Sequence, residues 1–324
     1  MKSFWIKSVG DGTVLESRDV PVPTPGPGQL LVRVHAASLN RGDLLGRIKR
    51  HRSDTARPAG VDASGEVTAI GDGVTGFKVG DRVMVRGKGT FAEYTVAETV
   101  LSTVIPDRLS WEQAAAVPIA YVTAYEALLQ FGRLQAGEWL LIAGASSGVG
   151  VASLQIAKGI GAKSIGVSGS AAKLAKLKAL GLDVGIQGRG GDFSTAAIEA
   201  TGGKGVDLAV NLVGGTAFKA CQEVLREHGR LAIVGYVDGV MKAEIDLEEV
   251  HGKRLHIFGL SNAALTLAGR AEAQRGFVKD VLPMLADGRI VPLVDRVFPF
   301  DELPAAKAYV ESDALLGKVV VRLN

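Results

Sequence analysis

The stretch Leu140-Leu141-Ile142-Ala143-Gly144-Ala145-Ser146-Ser147-Gly148-Val149-Gly150, continued to residue 173, decides the reading of this 324-residue chain. Its apolar head suits a buried parallel strand, and the small residues after it let backbone approach a ligand closely. Val149, Ala152, Ser153, Ile156 and Ile160 recur at helical spacing, so the turn opens a helix whose first amides and dipole would face an anion. Gly161 ends that helix. Ile165, Gly166 and Val167 then read as the second strand of a right-handed crossover, with Ser168 at its tip.

In the dinucleotide fingerprint G-x-G-x-x-G, an acid roughly 20 residues on binds the ribose 2'-hydroxyl. Here the three glycine positions hold Ala145, Ser147 and Gly150, with Gly144 and Gly148 beside them, so the strand-turn-helix context carries the reading more than the letters do. Phosphate is expected at Ser146, Ser147, Gly148 and Val149. Where the acid should stand, Ser168-Gly169-Ser170 is followed by Lys173. Losing a negative charge and gaining hydroxyls and a cation suits a 2'-phosphate, hence NADPH. The alternative is that Lys173, Lys176 and Lys178 form a solvated helix face.

The length is comfortable for two domains. Forty-two glycines, nearly twice the ordinary share of about 7%, point to many turns and close backbone approaches. A net charge of +3 without a sustained basic stripe makes no case for nucleic acid. The one cysteine, Cys221, excludes an internal disulfide and a thiolate-rich zinc site, and reads as a small buried apolar residue on a helix. Met1-Lys2-Ser3-Phe4-Trp5 lacks the apolar run of a signal peptide and nothing approaches a membrane span, so a cytoplasmic location is expected, with no membrane partner.

Segments 30–35, 65–70 and 82–85 read as strands, with turns at Gly71-Asp72-Gly73 and Lys78-Val79-Gly80-Asp81, a texture that suits a small barrel. Pro21, Pro23, Pro25 and Pro27 mark an extended connector. Ser110 with Gln113 forms a capping box, and Pro118 precedes a helix over 122–131. Beyond it, strands at 208–212, 231–235 and 255–260 alternate with helices, which predicts a doubly wound parallel sheet. An amphipathic helix over 271–286 and strands at 296–300 and 318–323 complete the chain. The expected domains are 1–119 with 262–324, and 120–261.

Further motifs run the full length: Ser38-Leu39-Asn40-Arg41-Gly42-Asp43-Leu44, Gly76-Phe77-Lys78-Val79-Gly80-Asp81-Arg82-Val83, Ala114-Ala115-Ala116-Val117-Pro118, Thr123-Ala124-Tyr125, Asn211-Leu212-Val213-Gly214-Gly215, Gly229-Arg230 and Gly317-Lys318-Val319-Val320-Val321. Together they resemble the zinc-free quinone oxidoreductase, or zeta-crystallin-like, branch of the medium-chain dehydrogenase/reductase superfamily. The resemblance implies an α/β chain with a GroES-like β-barrel and a Rossmann domain, NADPH in the cleft between them, and a homodimer. It implies Asn40 beside the nicotinamide ribose and the backbone of Phe258, Gly259 and Leu260 facing the carboxamide. Thr123, Asn211, Val213, Gly235 and Tyr236 would line the cofactor groove. Asn40 also suits a plain strand-end turn. Two departures stand out. Gly188 occupies the place of a tyrosine often found beside the adenine ribose, so the neighbouring Arg189 either takes over at the 2'-phosphate or is an exposed loop charge. Asn211 stands where many relatives have aspartate.

Zinc enzymes of the superfamily hold their metal with a cysteine and a Gly-His-Glu stretch, and the matching positions here are Asn40 and Gly60-Val61-Asp62. His35, His51, His228, His251 and His256 show no ligand spacing, so no metal is expected. Without a Lewis acid, hydride addition to an ordinary ketone leaves an alkoxide in need of another stabiliser. No tyrosine is followed four residues later by lysine to act as one. What remains is an acceptor that spreads the charge itself, a quinone or an enone, with the final proton from water and no side chain required as acid. The alternatives are an enoyl or enone reductase, and a catalytically silent NADPH-binding regulatory protein. Arg47, Lys49, Arg50, Arg52 and Arg57 against Asp54 form either a steering entrance for an acidic substrate or a solvated loop.

Overall fold

The chain opens with an antiparallel hairpin, β1 (Lys2–Val9) and β2 (Gly12–Asp19), and then enters β3 (Gln29–Leu39). In the first half of β3 the buried residues Leu30, Val32 and Val34 alternate with more accessible ones. A register shift between Val34 and Ala36 ends the alternation, and Ala36, Ala37, Ser38 and Leu39 are all buried. Polar side chains at the far end of β3 therefore lie in the interior. The structure, a computed structural model, describes residues 1–10, 12–44, 55–261 and 265–323. The basic run Arg47, Lys49, Arg50 and Arg52 lies outside the described residues; Arg57 lies within them, in the two-residue strand β4 (Arg57–Pro58).

After α1 (Arg41–Leu44) come β5 (Asp62–Ile70), β6 (Arg82–Arg86), β7 (Tyr94–Glu98), β8 (Ser102–Val104) and α2 (Trp111–Ala115). The expected capping box on α2 is present: Ser110 Oγ accepts from the Gln113 amide at 3.2 Å, and Gln113 Oε1 from that of Ser110 at 3.1 Å. The last part of the chain supplies β15 (Val294–Pro299), α11 (Leu303–Glu311) and β16 (Lys318–Arg322). One sheet has the order β15-β16-β3-β5-β6-β8, with β7 also paired to β3; the other is β2-β1-β4. Phe4, Val32, Val67, Val85, Phe298, Val319 and Val321 belong to the core they share.

The chain divides into two compact units, Met1–Ala120 with Val291–Asn324, and Tyr121–Ile290. The second contains β9 (Trp139–Ala143), β10 (Lys163–Ser168), β11 (Val184–Gln187), β12 (Val206–Asn211), β13 (Leu225–Ile233) and β14 (His256–Gly259), all parallel, in the order β11-β10-β9-β12-β13-β14. Its helices include α4 (Gly148–Gly159), α5 (Ala171–Ala179), α6 (Ser194–Ala200), α7 (Gly215–Glu223) and α8 (Leu247–Gly252). This is the predicted doubly wound sheet, with one strand, β11, that the periodicity does not predict.

Three details differ from expectation. The helix placed at 122–131 is α3 (Pro118–Tyr125), which opens on a proline where no N–H is needed and passes into a π turn, Glu126–Gln130. The helix placed at 271–286 is two, α9 (Leu267–Asp280) and α10 (Leu282–Asp287), divided where Pro283 cannot continue the ladder. These helices belong with the second unit, whereas the expected boundary put 262–290 in the first. Packing explains it: Gly276 of α9 admits the Tyr125 hydroxyl against its backbone, and Gly159 of α4 lies against the sulfur of Met284.

Candidate cofactor site

In the second unit the strand order reverses between β9 and β12, so the carboxyl ends of those strands flank the crevice where open α/β sheets bind ligands. The turn after β9 is held by backbone: the Gly144 and Ala145 amides both donate to the Val167 carbonyl, at 3.2 and 3.0 Å. Gly144 sits at φ +88°. Ser147 caps α4, its hydroxyl accepting from the Gly150 amide at 3.1 Å and donating to the Gly144 carbonyl at 2.9 Å. A side chain on Gly150 would fall 2.5 Å from the Gly144 oxygen, so glycine there lets the helix close on the turn. Among the degenerate fingerprint positions, this is the one that sterics enforce.

At the tip of β10, Ser168 is buried and its carbonyl accepts from the Gly188 amide at 3.1 Å, which draws the end of β11 alongside. Ser170 caps α5, accepting from the Lys173 amide at 3.4 Å, and so sets Lys173 in the first helical turn. The exposed Arg189 folds back over Gly169: an added Cβ there would lie 3.0 Å from Arg189 Cγ. Ser168, Gly169, Ser170 and Arg189 thus lie together at the ends of two neighbouring strands, with Lys173 in the first turn of the helix that follows.

Asn211, fully buried at the end of β12, serves the turn into α7. Its Oδ1 accepts from the Val213 and Gly214 amides, each at 3.0 Å, and its Nδ2 donates to the Gly214 carbonyl at 2.9 Å. The donor explains asparagine at this place, because an ionised aspartate can only accept. Val213 packs toward Gly144, 3.6 Å from where a Cβ would stand. Gly235, just beyond β13, approaches the Leu212 carbonyl too closely for a side chain, and Tyr236 after it is exposed. Phe258 lies 6.1 Å from Phe131, Leu260 donates to the Ile233 carbonyl at 2.9 Å, and Thr123 is buried on α3. Cys221 is fully buried on α7, where desolvation pushes its thiol far up, away from reactivity.

The first unit holds a polar cluster that spacing alone does not reveal. Asn40 Nδ2 donates to Asp62 Oδ2 at 2.9 Å and to Asp43 Oδ2 at 3.0 Å, while its Oδ1 accepts from Lys318 Nζ at 2.5 Å. Asp62 is fully buried, and its Oδ1 accepts from the Ile119 amide at 3.2 Å. Burial, then the charge of Asp62, raises the Asp43 carboxyl to about 6. Asp62 is also raised by burial, against the pull of Lys318, and burial lowers Lys318. The signal in the sequence is one lysine at the head of a run of three buried valines, since a charge so placed needs partners.

Residues 26–107 match the alcohol dehydrogenase GroES-like domain, and residues 148–273 match the family described as zinc-binding dehydrogenase. The chain is 34% identical over 313 residues to a phenolphthiocerol/phthiocerol polyketide synthase polypeptide of Mycobacterium tuberculosis, covering 95% of this chain and 14% of that one, so it spans about a seventh of that relative's length. It is 30% identical to the human synaptic vesicle membrane protein VAT-1 homolog, covering 96% of this chain and 83% of that protein. Among solved structures, a mycobacterial protein complexed with NADPH superposes with a TM-score of 0.90 at 26% identity over the whole of both chains. A quinone oxidoreductase of Pseudomonas syringae gives 0.87 at 27% identity, covering 99% of each. The CurK enoyl reductase gives 0.86 at 25%, also covering 99% of each. With a GroES-like first unit and a Rossmann second unit, the chain belongs to the medium-chain dehydrogenase/reductase superfamily, in its quinone oxidoreductase or zeta-crystallin-like branch.

Proposed function

We propose that this protein binds NADPH along the carboxyl ends of the second unit's strands and is an oxidoreductase acting on a quinone or another conjugated carbonyl. The observation that supports the reading is the β10 tip, where two serines, Lys173 at the start of α5 and the folded-back Arg189 stand in place of the usual acid, a composition that suits a phosphate. Ser147 shapes the start of α4, where Ser146 and the Gly148 and Val149 amides would receive the pyrophosphate. Asn211 and Val213 keep the opposite wall rigid. By family likeness, Thr123, Gly235, Tyr236 and the backbone of Phe258, Gly259 and Leu260 serve the nicotinamide half. Bound NADPH supplies the hydride; the protein's part is orientation and exclusion of water.

The matched family is described as zinc-binding, and the residues present do not fit a metal. By the resemblance, Asn40 stands in place of the zinc enzymes' cysteine and Asp62 in place of the glutamate of Gly-His-Glu, and the Lys318 ammonium lies against both. Among the described residues, no three of His, Cys, Asp or Glu are grouped as ligands. An acceptor that delocalises its own charge suits such a site. Reduction of an α,β-unsaturated thioester is the second reading, favoured by the likeness to an enoyl reductase.

A second copy of the chain is the proposed partner. β14 is an edge strand, and in the segment between β13 and β14 the apolar Val237, Met241, Ile245 and Leu247 are exposed. Among the described residues, no helix is long and apolar enough to cross a membrane. Steady-state NADPH oxidation with a small quinone set and a crotonyl-type thioester tests the activity: turnover with quinones supports the first reading and turnover with the thioester alone the second. Calorimetry that detects no uptake of NADPH sinks both.

A further inference from the structure

The first unit holds a groove of its own, of about 420 Å³, lined by His35, Arg82, Trp111, Glu112, Arg322 and Leu323. Small-molecule pockets run roughly 300–1,000 Å³, so the space is of ligand size and exceeds a water site. Strands β3, β6 and β16 of one sheet bring His35, Arg82 and Arg322 to it, and α2 adds Trp111 and Glu112.

The charges in the groove do not cancel. Glu112 is committed: Arg322 Nε donates to its Oε1 at 2.6 Å, and Arg322 Nη2 lies 2.5 Å from the same atom. Burial works to raise the Glu112 carboxyl, but hydrogen bonds from its own amide, Ser110 and Arg322 bring it below its ordinary value, so it stays ionised and paired. Arg82 has no such partner. Its Nη2 donates to the Leu109 carbonyl at 2.8 Å and its guanidinium carbon lies 4.6 Å from the centre of the Trp111 ring, but among the described residues no carboxylate is paired with it. His35 stacks on Trp111, ring centres 4.4 Å apart and planes 8° from parallel, and its buried Nε2 has no hydrogen-bond partner among the described residues. Burial, then Arg33, lowers the imidazole, with Glu66 opposing and Arg82 adding to the fall, so the ring brings no charge. What the groove offers is therefore one guanidinium without a counter-charge, one ring nitrogen with bonding capacity left, and an apolar wall made by Trp111 and Leu323.

We propose that this groove is a second ligand site, separate from the nucleotide site, which takes a small organic carboxylate: the carboxylate lies on the Arg82 guanidinium and the apolar body lies against Trp111 and Leu323. A guanidinium presents paired donors that match a carboxylate, and its stacking on the indole holds that fork in place. The indole and the leucine favour an anion with a carbon framework over a bare inorganic one.

Calorimetry on the intact chain without nucleotide tests it with three probes: benzoate, its neutral isostere benzamide, and inorganic phosphate. Benzoate is expected to bind saturably with a Kd on the order of 1 mM, and benzamide and phosphate at least about tenfold more weakly. Arg82→Met should weaken benzoate by about tenfold or more, the worth of a hydrogen bond to a charged group. Arg82→Lys keeps the charge and much of the packing without the planar fork, and should lose about threefold. Thermal unfolding shows whether each variant is folded, and if Arg82→Met is not, Arg82→Lys and the comparison of benzoate with benzamide in wild type decide. Benzamide or phosphate bound as tightly as benzoate, no saturable uptake of benzoate, or benzoate affinity unchanged in the folded Arg82 variants overturns the proposal.

Discussion

The guanidinium of Arg189 lies across Gly169, so close that a methyl group on Gly169 would sit 3.1 Å from Arg189 Cζ and overlap its Nε. Gly169→Ala must therefore displace Arg189 from its place over residue 169. If these residues hold a 2'-phosphate, Gly169→Ala and Arg189→Ala each weaken NADPH by about tenfold, as loss of a charge-assisted contact should, and leave NADH unchanged. Ser168→Ala with Lys173→Ala gives the same selective loss. Titration with both nucleotides decides it, and equal losses would refute the assignment.

Asn211 makes one bond that a carboxylate cannot, from Nδ2 to the Gly214 carbonyl. Asn211→Asp is expected to destabilise the protein by about 1–3 kcal/mol at neutral pH, the cost of a buried acceptor facing another acceptor. The loss should shrink at acid pH, where the new carboxyl is protonated and can donate again. Urea unfolding at two pH values measures both effects; a variant as stable as wild type at neutral pH contradicts the role given to Nδ2.

Burial holds the Asp43 carboxyl at about 6, above its ordinary 3.8. A raised carboxyl pKa means that the folded chain binds this proton more tightly than the unfolded one. The contribution of Asp43 to stability is thus complete below its unfolded value and is lost as pH rises through about 6. Asp43→Asn cannot titrate, so the stability difference between wild type and variant should move against wild type by up to about 3 kcal/mol from acid to neutral pH. A difference that stays flat across that window removes Asp43 as the titrating group.

Ile245 and Leu247 are exposed in the segment that leads to the edge strand β14. If the chain pairs with a second copy through this edge, Ile245→Glu with Leu247→Glu should convert dimers to monomers in sedimentation equilibrium while leaving binding of adenosine 2',5'-bisphosphate intact. Dimers that persist at wild-type strength place the subunit contact elsewhere.

The second unit is legible in sequence because its signals are local. Leu140–Ala143 is apolar without alternation, Ser147 caps α4, and Ser110 with Gln113 writes its own box. β11 is not, since Val184-Gly185-Ile186-Gln187 is short and carries a glycine, and its pairing with β10 makes it a strand. The β1–β2 hairpin can be read in principle, with Phe4, Ile6 and Ser8 buried in alternation and Gly10 and Gly12 at the turn. The Asn40 cluster is of another kind. Lys318 meets Asn40 across 278 positions, a juxtaposition no spacing rule can supply.

That separation also orders events during synthesis. β16 inserts between β15 and β3, yet the ribosome makes it only after every strand of the parallel sheet has emerged. The continuous unit can mature while its predecessor waits with an unzipped seam, Asp62 still lacking its counter-charge. Birth order and assembly order thus run opposite ways, and the amino-terminal portion is the last to be finished.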